Sequence, residues 1–116
     1  MFKAKKLSDG KWVKGSLVKT PFGTFIEWYE DSICNKREVD TDTVCQFTGL
    51  KDCEGNEIWE GDIVEREIYD LFKGSAKVKA VIEYLDGAFV AITDGIPYSL
   101  YFKYIKVVGN KFDKEK

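Results

Sequence analysis

Apolar and polar residues alternate along most of this chain with a period of two, the period at which side chains return to the same face of an extended strand. Phe22, Thr24, Ile26 and Trp28 share one face while Phe25, Glu27 and Tyr29 share the other, which predicts a strand over residues 24–30. Thr20-Pro21-Phe22-Gly23 reads as the turn that pairs it with a strand over Trp12 to Lys19. Further on, Val78, Ala80, Ile82 and Tyr84 alternate with Lys77, Lys79, Val81 and Glu83; Asp86-Gly87 and a run from Phe89 to Thr93 follow, which is a β-hairpin around a favoured turn dipeptide. Asp94-Gly95 punctuates the chain again, and Tyr101 to Val108 predicts one or two last strands. Asp62 to Phe72 reads as a strand running into an exposed excursion, with a short helix as the alternative. Asp31 to Thr43 is polar and of mixed charge and is expected to be a mobile loop.

With 116 residues there is room for one domain, or for a small domain with an extension, but not for two independent cores. An apolar content of 44% with 15% aromatics excludes a disordered chain. No apolar run approaches the roughly 18 to 20 residues of a membrane helix, and Met1 to Lys6 lacks the apolar stretch of a signal peptide. Neither membrane association nor export is expected. Three cysteines, Cys34, Cys45 and Cys53, match no CxxC pair, and the chain has no histidine. Reduced thiols, no metal centre and no cofactor are therefore expected, and a cysteine nucleophile lacks its usual base.

Charge divides the chain into a basic start (net +5 over residues 1–20), an acidic middle (−10 over 21–70) and a mildly basic end (+3 over 71–116). A pI of about 5.2 does not suit a protein that binds nucleic acid by neutralising phosphates. Lys3, Lys5 and Lys6 near the start and Lys103, Lys106 and Lys111 near the end remain as local basic patches, more readily read as solvated surface.

The most informative stretch runs from Gln46-Phe47-Thr48-Gly49-Leu50-Lys51-Asp52 through Cys53-Glu54-Gly55-Asn56 to Glu57-Ile58-Trp59-Glu60-Gly61-Asp62-Ile63-Val64. Leu50 precedes a tight turn in which Gly55 can take positive φ, and Gly61-Asp62 forms a corner leading into Ile63 and Val64. An aspartate beside such a corner accepts backbone N–H groups that would otherwise be orphaned. Asp52, Glu60 and Asp62 could hold a divalent cation, but turn capping is the stronger reading because no oxygen-rich loop surrounds them. Short strands meeting at glycine corners are the grammar of a small, strongly bent barrel.

Residues 46–64 resemble the signature of the YopX family of phage and prophage proteins, approximately Gln-aromatic-Thr-Gly-Leu-x-Asp-x-x-Gly-x-x-Ile-x-x-Gly-Asp-Ile-Val. Val107-Val108-Gly109-Asn110 is similar to the family's closing segment, and Phe2-Lys3-Ala4-Lys5 matches its opening without the aromatic. The resemblance implies a mainly β fold, with a small SH3-like barrel in the C-terminal part preceded by an N-terminal β-hairpin extension. The expected organisation is an extension over residues 1–45 with its mobile loop at 31–43, the barrel over 46–110 and a charged tail over 111–116. Gln46, Thr48, Gly49, Asp52, Gly55, Gly61, Asp62, Gly109 and Asn110 are its structural motif residues. It implies no reaction.

The expected barrel core is Leu50, Ile58, Ile63, Val81, Ile82, Phe89 and Ile105. Aromatic residues exceed what a barrel of this size buries, so Trp59, Tyr84, Tyr98 and Tyr101 are candidate contact residues, with Phe102 and Tyr104 beside them. Trp28 is the candidate anchor of the N-terminal hairpin on a second subunit, against the alternative that its stripe closes over its own barrel. The expected function is a non-enzymatic phage or prophage accessory protein in the cytoplasm of a bacterial host. It would act by contacts with itself or with a host or phage protein, the acidic middle favouring a basic partner. The alternative is a nucleic-acid accessory module using barrel aromatics and terminal lysines. An enzyme would have to rest on carboxylates alone.

Overall fold

The computed structural model describes residues 1–72, 74–100 and 105–113, with residues 68–70 described by their backbone. It is mainly β, built from antiparallel pairs, and divides into two compact units, Met1–Phe47 and Thr48–Lys116. No helix among the described residues is long and apolar enough to cross a membrane.

The first unit contains β1 (Phe2–Lys5), β2 (Trp12–Thr20), β3 (Gly23–Glu30), β4 (Ile33–Glu38), a 3-10 turn (Thr41–Thr43) and the start of β5 (Cys45–Lys51). Its strands lie in the order β4-β3-β2-β1-β5. The predicted hairpin of β2 and β3 is present, pairing Leu17 with Ile26 and Thr20 with Gly23. Ala4, Ile26 and Val39 are buried at its centre, and Phe2, Val13, Leu17, Trp28 and Val44 pack half-buried around them. Gly15 sits where β2 passes closest to β3: a Cβ there would run into the Glu27 carbonyl oxygen and the Trp28 Cβ.

The mobile loop expected at 31–43 is instead ordered structure. Asp31 and Ser32 both take positive φ (50° and 65°), the geometry of a tight two-residue hairpin turn, and β4 then pairs along β3 from Glu30↔Ile33 to Phe25↔Glu38. Asp40 caps the 3-10 turn by accepting from the Asp42 N–H. Nearly every β4 side chain is exposed, so backbone hydrogen bonds rather than an apolar face hold this strand in place.

The second unit contains the end of β5, β6 (Glu57–Trp59), β7 (Asp62–Asp70), β8 (Gly74–Leu85), β9 (Ala88–Thr93), β10 (Ile96–Tyr98) and β11 (Ile105–Asn110). The last five form a sheet in the order β10-β9-β8-β7-β11. Neither sheet closes on itself, so the closed form of the expected barrel is absent. Ile58, Val64, Ala80, Ile82, Ala91 and Ile105 form the core, with Phe89, Leu100 and Val107 packed against it. Of the expected core residues, Ile58, Ile82 and Ile105 are buried. Ile63, Val81 and Phe89 are only half-buried and Leu50 is exposed. The inward face of β7 carries Val64 and Arg66, one residue out of step with Ile63, and on β8 it carries Ala80 and Ile82 rather than Val81.

Asp62 to Asp70 is one strand, which excludes the helical alternative. Among the described residues β11 pairs with β7 only as far as Arg66, and β9 pairs with β8 only from Val81 onward. The rest of β7 and β8 projects as a two-stranded arm ending in Leu71 and Phe72, which are 83% and 97% exposed. The Asp86-Gly87 hairpin is formed as predicted, with positive φ at both positions, and Asp94-Gly95 makes a second such turn into β10.

The outer sides of β10 and β11 are both blunted. The Asp94-Gly95 turn pairs Ile96 with Thr93, which directs the nitrogen of Pro97 to the outer side of β10, where it has no proton to donate. On β11 the outer side is occupied by the turn at 52–56: the Val107 N–H donates to Asp52 Oδ2 (2.9 Å), and the Ile105 carbonyl accepts from the Cys53 N–H (3.1 Å). The beginning of the expected charged tail is tied down. Lys111 N–H donates to the Gly61 carbonyl (2.9 Å) and its Nζ lies 3.0 Å from Glu83.

Candidate interaction surface

The motif residues assemble into a set of polar stitches. Thr48 Oγ1 donates to the Ile58 carbonyl (2.7 Å) and accepts from the Leu50 N–H (3.1 Å), which fixes the hairpin of β5 and β6. Asp52 accepts four hydrogen bonds: from the N–H groups of Glu54, Asn56 and Val107 and from Asn56 Nδ2. Burial pushes its carboxyl pKa up, but these donors outweigh that cost and hold it below the ordinary 3.8. Asp62 accepts from the Trp59 N–H (2.8 Å) and from Asn110 Nδ2 (3.0 Å), and Asn110 Oδ1 accepts from the Phe112 N–H. Gly61, at φ 85° and buried, is the corner that lets Asp62 reach back to Trp59. Gly49 and Gly55 also take positive φ, Gly109 lies at the register shift of β11, and Gln46 is exposed on β5. The two carboxylates thus spend their oxygens on backbone and amide donors. Among the described residues no group of three or more Cys, Asp or Glu is placed to hold a metal ion.

The candidate contact aromatics are scattered. Trp59 is 2% exposed and buried, a correction to its expected role on the surface: it and its neighbour Ile58 lie on opposite faces of β6, and both faces are covered. Trp28 is half-buried on the core of the first unit. Tyr84 is 53% exposed, with its ring edge-on to Phe89 at 5.1 Å. Tyr98 is half-buried under the Arg66 guanidinium, 4.0 Å from its ring centroid. Tyr101, with Phe102, Lys103 and Tyr104, lies outside the described residues.

Two concavities mark the second unit. One, of about 240 Å³, is lined by residues of both charges, Glu65, Arg66, Glu67, Lys77 and Lys106, together with Cys53. Lys106 is paired with Glu54 at 3.1 Å, and Lys77 with Glu65 at 3.9 Å. The other, of about 510 Å³, is a mainly apolar groove walled by Leu50 from β5, Phe89 and Val90 from β9, and Pro97, Tyr98 and Leu100 from β10 and the residues after it. Sequence reasoning had placed Leu50 and Phe89 in the core and passed over Val90, Pro97 and Leu100. Arg66 falls within the expected exposed excursion, although period two puts it on the face of Val64, where it is 5% exposed.

Among the described residues the groove's wall is mainly apolar, with Thr48, Tyr98 and Ser99 as its polar members. That chemistry suits the capture of an apolar side chain or a short extended segment.

No curated protein matches the chain. The crystal structure of protein EF1440 from Enterococcus faecalis is similar in fold, with a TM-score of 0.56 at 22% identity over 94% of this chain and 90% of that one. The family model described as YopX protein matches residues 1–115. A match over essentially the whole length, with the stitched motif at 46–64 and its partner Asn110 inside it, establishes that the chain belongs to the YopX family.

Proposed function

We propose that this protein is a non-enzymatic phage or prophage accessory protein, acting in the bacterial cytoplasm through protein contacts. In this reading its second unit is an opened SH3-like module that receives an apolar segment in the groove between Leu50 and Leu100. The carrying observation is the groove itself: about 510 Å³ of mainly apolar wall on a unit where β10 and β11 are both blunted along their outer sides. At the groove a partner is then taken up by side chains rather than by addition to β10 or β11.

The nucleic-acid alternative is less well supported. Lys106 and Lys111 are engaged by Glu54 and Glu83, Lys6 by Asp9 at 3.1 Å, and Lys3 and Lys5 lie over the Trp12 ring. Tyr98, a candidate stacking surface, is already covered by Arg66.

Selection from a library of displayed short peptides tests the reading. Enrichment of sequences sharing an apolar anchor, lost when Leu50→Asp protein is the bait, is the expected result. Equal recovery on the two baits would reject the groove as a binding site.

A further inference from the structure

We propose that the uncovered side of β8, from Ser75 to Lys79, is a second docking site on this unit, one that takes an acidic extended segment of a partner protein as an added antiparallel strand. The site is separate from the groove and does not rest on it.

β8 is 12 residues long, but β9 runs beside it only from Val81 to Leu85. β9 ends at Thr93, whose Oγ1 donates to the Lys79 carbonyl (3.1 Å), and Asp94-Gly95 then turns the chain back into β10. Among the described residues nothing pairs with that side of β8 from Gly74 to Ala80. The two-residue turn at 86–87 makes Leu85↔Ala88 a hydrogen-bonded pair, and successive residues of a strand address its two sides alternately. Glu83 and Val81 therefore bond toward β9, and Lys79, Lys77 and Ser75 aim their N–H and C=O groups the same way, past the end of β9. The pairing with β7 keeps one register from Ile63↔Val81 to Asp70↔Gly74, so these groups stand at the regular spacing an added strand needs.

β10 and β11 carry devices that refuse such a strand, Pro97 and the Asp52 turn. The stretch from Ser75 to Lys79 has neither a proline nor a bulge, and its side chains do the selecting instead. Exposed Lys77 and Lys79 share one face of β8, with exposed Ala76 and half-buried Val78 on the other. An antiparallel visitor sets one of its residues directly opposite each of these, with Cβ atoms about 5 Å apart. Acidic residues are favoured opposite Lys77 and Lys79, and the residue between them meets Val78, where an apolar side chain fits. Glu65 and Glu67 lie across from these lysines on β7, so a strand arriving on the uncovered side meets the ammonium groups first. Lys77 lies 3.9 Å from Glu65 with 68% of its side chain exposed, and Lys79 is engaged in no ion pair among the described residues. A second copy of the same edge does not fit as well. The fullest antiparallel self-pairing, Ser75 against Lys79, sets Lys77 against its own copy, and like charges directly opposed repel.

A short end-capped peptide of alternating glutamate and valine, added to the isotope-labelled full chain, tests the proposal. By about 1 mM peptide saturable amide shifts are expected over residues 74–80. Exchange of the Ser75 and Lys77 N–H groups with solvent should slow about tenfold as they become paired. The same peptide with lysine in place of glutamate, or N-methylated at its glutamates so that those main-chain protons are gone, should produce neither effect. Lys77→Gln combined with Lys79→Gln, both at exposed positions, should weaken binding about fivefold, and Leu50→Asp should leave it unchanged. Absence of saturable shifts, shifts confined to residues 88–90 and 97–100, equal binding of the N-methylated peptide or of the glutamine variant, or loss of binding in Leu50→Asp would each overturn the proposal.

Discussion

The first and second units are both antiparallel sheets of short strands, but they hold together by different means. In the second, Asp52, Asp62, Thr48 and Asn110 tie turns to strands through side-chain hydrogen bonds, around a core with two isoleucines, Ile58 and Ile82, at 1% exposure or less. In the first, the buried apolar residues are four, Ala4, Ile26, Val39 and Cys45; the strands approach closely at Gly15, and half-buried Trp28 and Leu17 spread over the remainder. The comparison teaches where each unit is brittle. One depends on a few buried polar groups, each serving several donors; the other depends on a backbone approach that admits no Cβ.

The largest expected effect is on the stitched unit. Asp62→Ala leaves the Trp59 N–H and the Asn110 amide without their acceptor inside the fold. Stranded buried donors cost about 1–3 kcal/mol each, so a loss of about 3–5 kcal/mol is expected in urea unfolding. A loss under about 1 kcal/mol would show that the stitches decorate the unit rather than hold it. Next comes the first unit: Gly15→Ala should cost about 2–3 kcal/mol, because the new methyl meets the Glu27 backbone rather than a movable side chain. Amide exchange should then accelerate in β2 and β3, and unchanged exchange there would mean that the close approach is not a constraint.

The smallest effect concerns acid. Asp52 titrates below the ordinary 3.8, so its contribution is complete above that value and fades as the pH falls through its lowered native pKa. At pH 7 Asp52→Asn should be less stable than the native chain by about 1–2 kcal/mol, the worth of hydrogen bonds to a charged acceptor. The gap should narrow as the pH is lowered below about 4. Urea midpoints that fall in parallel for the two proteins between neutral and acid pH would assign the acid response to other carboxylates.

Legibility in the sequence followed the physics of each element. The hairpin of β2 and β3 and the Asp86-Gly87 hairpin were legible because one face is apolar and the turns carry glycine or aspartate. β4 was not: Ile33 to Glu38 is exposed on both faces, so no apolar period marks it, and Asp31-Ser32 is an uncommon pair for a turn with two positive φ angles. β10 is three residues long and contains Pro97, which reads as a breaker. The slip between Ile63 and Val64 arose because both are apolar and the residues sharing Val64's face, Asp62 and Arg66, are charged, which marks that face as outward although it is buried. The polar stitches at Asp52 and Asp62 were legible as turn caps, whereas the Val107 and Asn110 partners, 55 and 48 residues away, were not. The groove was invisible because its walls come from strands distant in sequence, and Leu50 reads as core until the fold leaves it on a rim.

The missing proton on Pro97 and the Asp52 turn laid along β11 also decide what kind of information a partner of the second unit has to carry. A strand that docks by main-chain pairing is accepted almost whatever its sequence, since every residue has the same N–H and C=O. Beside β10 and β11, where such pairing is shut out, entry depends on which side chains a visitor presents. Drift in the residues around the groove would change the list of acceptable visitors without touching the fold, leaving the scaffold constant while its specificity is free to evolve.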